Sequence, residues 1–317
     1  MSIECLSAGI LFADVACAPV ECVPEAGQLV STDQVQLSLG GCASNTALGL
    51  AKVGAQVGVA GCVGDDAFGR FIIDALSVDR IDTAGIHRVA GVGSGGTLVI
   101  NVEGEDRRFI STPAANTRFT VDHISDAWLA EAKVLYVGGF FMMPELETDA
   151  FVALLRKARS LGVQTVLDVV LYGEPNYGDR LAAILPETDF FMPNDDEAAL
   201  ITGADTPVAQ AERFCAAGAK NVVITCGSEG SVLIGEAGRL RCGVYPTQFV
   251  GGTGSGDAFD AGFIAGLLAG EDMAGCLRWG SALGASCVRS ITATESIFTR
   301  PEAEEFMARH ELKIEEL

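Results

Sequence analysis

The 317-residue sequence predicts an α/β fold: a mostly parallel central sheet covered by helices on both faces, with a second, small β-sheet inserted. Three observations carry this. Apolar runs of strand length alternate with helix-period patterns, which is the signature of βαβ units. The runs are apolar almost throughout, as strands covered on both faces are. Two stretches, 20–39 and 86–110, break the rhythm with short alternating segments such as Thr97-Leu-Val-Ile-Asn-Val-Glu103, which suit antiparallel strands.

Taken in order, residues 5–12 read as the first buried strand, 43–53 as a helix, 57–63 as a strand and 67–77 as a helix. Further on, 134–138, 164–168, 190–192 and 221–225 read as strands, and 148–161, 197–202, 208–217 and 258–269 as helices. No internal repeat, low-complexity tract or linker interrupts them, so residues 1–317 read as a single domain.

Composition narrows the function. Forty-nine per cent hydrophobic residues suffice for a large core, and a net charge of −21 argues against a nucleic-acid partner, whose binding rests on Lys and Arg neutralising phosphates. The apolar start carries Glu4 and Asp14 and lacks a basic leader, so it reads as a strand rather than a signal peptide. No run approaches the roughly 18 apolar residues of a membrane span, and a cytoplasmic protein without a membrane partner is expected. The ten cysteines form no CxxC pair and the three histidines are far apart, which points to free thiols packed as small hydrophobes and to no zinc motif.

Chemistry concentrates in two segments. Val250-Gly-Gly-Thr-Gly-Ser-Gly-Asp257 runs directly into a helical pattern. Closely spaced glycines let backbone N–H groups converge, and the helix adds its N-terminal dipole, so the segment suits an anion. Asp257 at its edge is placed either to accept a hydroxyl proton or simply to cap the helix. The second segment is Gly40-Gly-Cys-Ala-Ser-Asn45, with a helix behind it and Ala60-Gly-Cys-Val-Gly-Asp-Asp-Ala-Phe-Gly69 beyond. There a glycine pair lets backbone approach a ligand, and Asn45 offers a donor and an acceptor to a sugar hydroxyl, or else caps its helix. A formal GxGxxG match at Gly91-Val-Gly-Ser-Gly-Gly96 is followed by a strand pattern, not the helix that a dinucleotide site needs, and no P-loop sequence occurs.

Together these segments resemble, in order, the two signature regions of ribokinase-like (PfkB-type) carbohydrate kinases, and the resemblance extends over nearly the whole chain. Pro193-Asn-Asp-Asp-Glu197 is similar to the family's Asn-x-x-Glu motif, and Thr225-Cys-Gly-Ser-Glu-Gly230 to its nucleotide-side strand and turn. The resemblance implies a three-layer α/β/α fold with a β-sheet lid from about 13–39 and 86–111, and a homodimer contact through that lid as in some relatives. It implies an ATP-dependent kinase with Asp257 as base and the amides of Gly254, Ser255, Gly256 and Asp257 as an anion hole. Asp14, Gly40, Gly41 and Asn45 would hold the sugar. Asn194 and Glu197 would organise Mg²⁺ through water, and Thr225, Gly227, Gly230 and Ser286 would border ATP. Without the resemblance, Asn194 and Glu197 read as a helix-start turn and Asp14 as a solvated turn carboxylate.

Departures from the pattern matter. Gly251, Gly252 and Thr253 stand where many relatives have Asp-Thr-Thr, and Thr292-Ala293 where Gly-Ala is usual, so a monovalent cation would lose its carboxylate. Cys42 replaces the lysine usual in ribose-specific relatives. Arg88, Arg107 and Arg108 are the cations available to grip a substrate phosphate, and the last two fall in a charged turn. An unphosphorylated pentose, ketohexose or sugar acid is therefore the expected substrate. Alternatives are a nucleoside kinase, with Phe109, Phe119, Phe140 or Phe141 stacking on the base, and a catalytically silent sugar- or nucleotide-binding regulator.

Overall fold

Two sheets of unequal size divide the strands of the computed structural model, which describes residues 2–105, 108–173 and 175–317. The strands are β1 Cys5–Gly9, β2 Phe12–Cys17, β3 Val35–Gly40, β4 Val57–Gly64, β5 Ile81–Val89, β6 Gly95–Ile100, β7 Arg108–Thr112, β8 Val134–Gly138, β9 Gln164–Leu167, β10 Phe190–Phe191, β11 Asn221–Thr225, β12 Ser231–Gly235, β13 Gly238–Cys242 and β14 Ile314–Glu316. The helices are α1 Cys42–Lys52, α2 Ala67–Leu76, α3 Asp126–Glu131, α4 Asp149–Ser160, α5 Tyr177–Leu181, α6 Asp195–Thr202, α7 Pro207–Ala216, α8 Ser255–Ala269, α9 Met273–Cys287 and α10 Arg300–Arg309.

The large sheet has ten strands in the order β14-β13-β12-β11-β10-β9-β8-β1-β4-β5. From β11 to β5 every pairing is parallel, while β12, β13 and β14 add an antiparallel edge. Strand alternation sends successive side chains to opposite faces. Accordingly Leu6, Leu135 and Val137 join one core with Phe151 of α4 and Phe214 of α7. Cys5, Val134 and Tyr136 join the other with Leu50 of α1, Phe263 of α8 and Leu277 of α9. Helix α8 is buried almost all round from Ala258 to Gly266, because it lies between the sheet, α1 and α9.

The small sheet runs β3-β2-β6-β7. Its pairing puts Ser38, Asp14, Thr97 and Ser111 in one cross-strand row, and Leu37, Val15, Leu98 and Ile110 in the adjacent row on the opposite face.

Three expectations change. The strand expected over 5–12 is two strands on different sheets: Asn116 takes the Leu11 backbone N–H at 2.8 Å and donates to its carbonyl at 3.0 Å, replacing the ladder and letting the chain turn between them. Residues 86–89, expected in the small sheet, end β5 on the edge of the large one. Edge position leaves β5 half-exposed, so it alternates like a lid strand. Between 20 and 34 the chain forms no strand, only a bridge from Val20 to Val102. Helix α9 and the β12–β13 hairpin were not expected; three glycines, Gly275, Gly280 and Gly284, dilute α9's helical signal. Among the described residues no disulfide joins the ten cysteines, of which Cys22 is exposed and Cys17, Cys215 and Cys226 are half-buried rather than packed away. Among the described residues, no helix is long and apolar enough to cross a membrane.

Candidate active site

The candidate site residues gather where the parallel strands end at their carboxyl edges, the general position of ligands in open α/β sheets. Residues 9, 168, 194 and 225 are the last residues of their strands or lie just beyond them, and α8 points its N-terminus into the same crevice.

Gly254 is the N-cap of α8, with φ 75°. A Cβ there would sit 2.4 Å from the Ala293 Cβ, so both its backbone conformation and its surroundings demand glycine. The Ser255 hydroxyl donates to the Gly252 carbonyl at 3.0 Å, and the Cys287 thiol to the carbonyls of Thr253 at 3.3 Å and Ala293 at 3.1 Å. These contacts hold the loop; the Ser255 amide donates to the Gly252 carbonyl at 3.3 Å, and the Gly256 and Asp257 amides behind it, in the first turn of α8, have no intrahelical acceptor, as at helix starts that bind anions.

Asp257 lies in that first turn, but its carboxylate faces α1 instead of capping its own helix. Oδ2 accepts from Asn45 Nδ2 at 2.7 Å, and the Cys42 thiol also hydrogen-bonds to it. Burial pushes the Asp257 carboxyl up, and those two hydrogen bonds oppose the shift.

On the same side, Gly41 caps α1 with φ 89°, and a Cβ there would meet the Ile10 carbonyl at 2.5 Å. Asn45 therefore sits inside α1, a turn beyond the cap, and is not itself a capping residue. Gly40 lies against the Asp14 carboxylate. Asp14 Oδ1 and Asn45 Oδ1 are buried without a partner, two acceptors that hydroxyl donors would satisfy. Burial pushes Asp14 up to about 6, with the Thr97 hydroxyl lowering it and Asp257 raising it, so Asp14 is a buried site carboxylate, not a solvated one.

Across the crevice, Asn194 and Glu197 form a capping box on α6: Asn194 Oδ1 accepts from Glu197 N at 2.8 Å, and Glu197 Oε2 from Asn194 N at 3.1 Å. Burial pushes Glu197 up to about 7, the Asn194 backbone lowers it, and Asp257 and Asp196 raise it. A bridge joins Asn194 to Thr225, after which Gly227 opens a short turn closed by Gly230 against β13. Ser286 stands apart from the other expected nucleotide contacts. It is fully buried, its hydroxyl donating to Leu283 O at 2.7 Å and accepting from Phe298 N at 3.1 Å, so it braces the end of α9.

Of the cations considered for a substrate phosphate, Arg88 pairs with Asp65 at 3.3 Å and Arg108 with Glu105, while Arg107 lies outside the described residues. Of the aromatic candidates for base stacking, Phe119, Phe140 and Phe141 are sealed in the core and Phe109 is 54% exposed on β7.

Sequence reasoning missed a group beneath Asp257. Asp168 comes directly after β9, and Asp260 lies one turn along α8, where it accepts from the buried Tyr136 hydroxyl at 3.0 Å. Burial pushes both carboxyls well up, and Asp260, Glu197 and Asp257 add to the shift on Asp168. One signal was present: Asp168 is the lone acid ending an apolar strand, at the sheet edge where ligands bind.

Known proteins similar to this chain include sugar kinases. The chain is 29% identical over 285 residues to the 5-dehydro-2-deoxygluconokinase of Clostridium perfringens, covering 86% of this chain and 84% of that one. It is 26% identical over 289 residues to the ribokinase of Haemophilus influenzae, covering 89% and 91%. The ribokinase of Arabidopsis thaliana, solved with ribose and ATP, superposes with a TM-score of 0.83 over 96% of this chain and 99% of that one, at 24% identity, and so shares its ribokinase-like fold. The family model for pfkB family carbohydrate kinases matches residues 3–300, and the chain belongs to that family of sugar-phosphorylating enzymes.

Proposed function

We propose that this kinase transfers the γ-phosphoryl group of ATP to a hydroxyl of a small, unphosphorylated sugar, with Asp257 as the base. The observation that carries the reading is the 2.7 Å contact between Asn45 and Asp257, which joins the sugar-side helix to the anion-binding loop at one carboxylate. Asp14 and Asn45, each with an unpartnered oxygen, would take sugar hydroxyls. Gly40 and Gly41 would bring the backbone alongside. Asp257 would accept the proton of the attacking hydroxyl while the amides of Gly254, Ser255, Gly256 and Asp257 meet the charge on the transferred group. Thr225, Gly227 and Gly230 would border the nucleotide.

Carboxylates crowded in one crevice suit a divalent cation, and Glu197, raised by burial and by Asp257, fits Mg²⁺. Both Asn194 and Glu197 are held in their capping box, so they would reach the ion through its waters, which Mg²⁺ gives up reluctantly. Mg²⁺ would neutralise phosphate charge. Gly251, Gly252 and Thr253 offer no carboxylate to a monovalent cation.

The small sheet serves as a lid in this reading. Its polar row faces Asp257, and closing it would keep water from the phosphoryl group. The opposite face exposes Leu37, Leu98 and Ile110, which supports a homodimer contact through the lid. Free thiols and an ATP requirement suit the cytoplasm.

A nucleoside kinase of the same fold is the second reading, and exposed Phe109 on the lid favours it. Mg-ATP assays against free pentoses, ketohexoses, sugar acids, sugar phosphates and nucleosides, following ADP release, decide between them. Turnover with an unphosphorylated sugar is expected; turnover confined to nucleosides or sugar phosphates would replace the proposal, and ligand binding without any turnover would leave a silent regulator.

A further inference from the structure

Cys42, Asp168 and Asp257 reach one point from three parts of the chain: the first residue of α1, the residue after β9 and the first turn of α8. The Cys42 sulfur and one carboxylate oxygen from each Asp all lie within 4.8 Å of one another. Around a tetrahedral zinc-type ion, with metal–sulfur about 2.3 Å and metal–oxygen about 2.0–2.2 Å, such ligands stand roughly 3.3–3.8 Å apart. A shift of about an ångström therefore closes the three atoms on one ion.

The place is built rather than incidental. Cys42 is 7% and Asp168 9% exposed. Close packing brings the thiol in: a Cβ on Gly138 would meet the Cys42 Cβ at 2.7 Å and the Tyr136 hydroxyl at 2.8 Å. One turn along α1, Asn45 is 3% exposed and grips Asp257 through Nδ2, while its Oδ1 has no partner, a neutral oxygen beside the same carboxylate. The ionisable side chains that act on Asp168 are the carboxyls of Asp260, Glu197 and Asp257, acidic surroundings that suit a cation.

We propose that Cys42, Asp168 and Asp257 form a binding site for a thiophilic divalent cation of the zinc class, distinct from the Mg²⁺ place at Asn194 and Glu197, and that its occupation withdraws Asp257 from catalysis. Sulfur sets the selectivity, because thiolate prefers zinc-type ions whereas Mg²⁺ takes hard oxygen donors. On binding, the Cys42 S–H bond breaks, the sulfur–metal bond forms and the proton leaves to solvent. The consequence is a kinase that micromolar Zn²⁺ inhibits and excess Mg²⁺ does not restore.

The test titrates the full-length chain with Co²⁺, without nucleotide, and follows near-ultraviolet thiolate-to-cobalt absorption. Saturation at one equivalent is expected, with displacement by Zn²⁺ but not by Mg²⁺. Cys42→Ser should abolish the band, and Asp168→Asn should weaken cobalt binding by about tenfold or more, circular dichroism confirming each fold. A wild-type chain without the band, or a band unchanged in Cys42→Ser, overturns the proposal. Should Cys42→Ser fail to fold, Asp168→Asn decides alone: unaltered cobalt affinity there overturns it. Because the readout needs no turnover, it tests the metal site independently of the kinase reading, on which only the inhibition rests.

Discussion

The two sheets treat their side chains in opposite ways. In the large sheet β1, β4 and β8 are buried along their whole length, whereas in the small one β7 is exposed at every residue and β3 is exposed or half-buried from Val35 to Ser38. A strand packed on both faces has no freedom to re-aim the residues at its carboxyl end, since interiors are as dense as crystals. An exposed strand can change its side chains at little cost to stability. The groups assigned to chemistry hang from the rigid sheet and from α8 packed on it. Of those proposed to hold the sugar, Asp14 on β2 and Gly40 at the end of β3 belong to the open sheet, while Gly41 and Asn45 sit at the start of α1, so the sugar side lies where the two regions meet. The proposed base and anion loop would thus serve different acceptors by altering the lid, as fold and substrate are separable in general.

Changes on the rigid side should abolish turnover, and changes toward the lid should retune it. The largest effect is expected for Asp257→Asn, which removes the proposed base, a carboxylate held by Asn45 and Cys42: kcat should fall by about 10³ or more in steady-state ADP release, with the fold intact. Gly254→Ala comes next. It forces a side chain to φ 75° and into Ala293, so kcat should fall by roughly 10–100-fold and the chain should lose about 1–3 kcal/mol in denaturant unfolding. Asp14→Asn, at the boundary, should raise KM for the sugar by about tenfold while kcat changes less and KM for ATP hardly moves. An equal fall in kcat for Asp14→Asn would erase the distinction between the two regions.

The smallest effect concerns pH. Asp14, raised to about 6, and Glu197, raised to about 7, bind protons more tightly folded than unfolded. Their contribution favours the folded state most below their ordinary values near 4 and is lost as pH rises through 6 and 7. Asp168 and Asp260 act in the same direction. Glu4, Asp66 and Glu302, which are lowered, contribute fully above about pH 5 and change little in this window. Without ligands, the thermal midpoint should therefore drop by a few degrees between pH 5.5 and 8. Mg²⁺ should recover more of it at pH 8; a midpoint that climbs with pH would contradict the crowded-carboxylate picture.

The legibility of these features divides along the same line. Strands such as Val134–Gly138 and Asn221–Thr225 are readable to the residue, because burial on both faces leaves an unbroken apolar run between helices. The glycine-rich approach to Asp257 is equally plain, since an amide nest must be local in sequence. Partnership between Asn45 and Asp257 is not local, and only their shared family pattern joined them beforehand. Asp168 just after β9, Tyr136 within β8 and Asp260 in the apolar stretch of α8 beyond Asp257 stayed hidden because each is a polar residue among apolar neighbours, and their convergence depends on which strands become neighbours. Residues 86–89 were misplaced for a related reason: period-2 alternation reports a half-exposed strand without saying which sheet it joins.

The most direct measurement of the central claim is a single-turnover comparison of wild type and Asp257→Asn, with ATP and the preferred sugar both saturating and binding of each checked separately. If Asp257 is the base, both ligands bind the variant within a few-fold of wild type while phosphoryl transfer slows by about three orders of magnitude. Transfer within tenfold of wild type would show that the proton leaves by another route and that Asp257 is not the base.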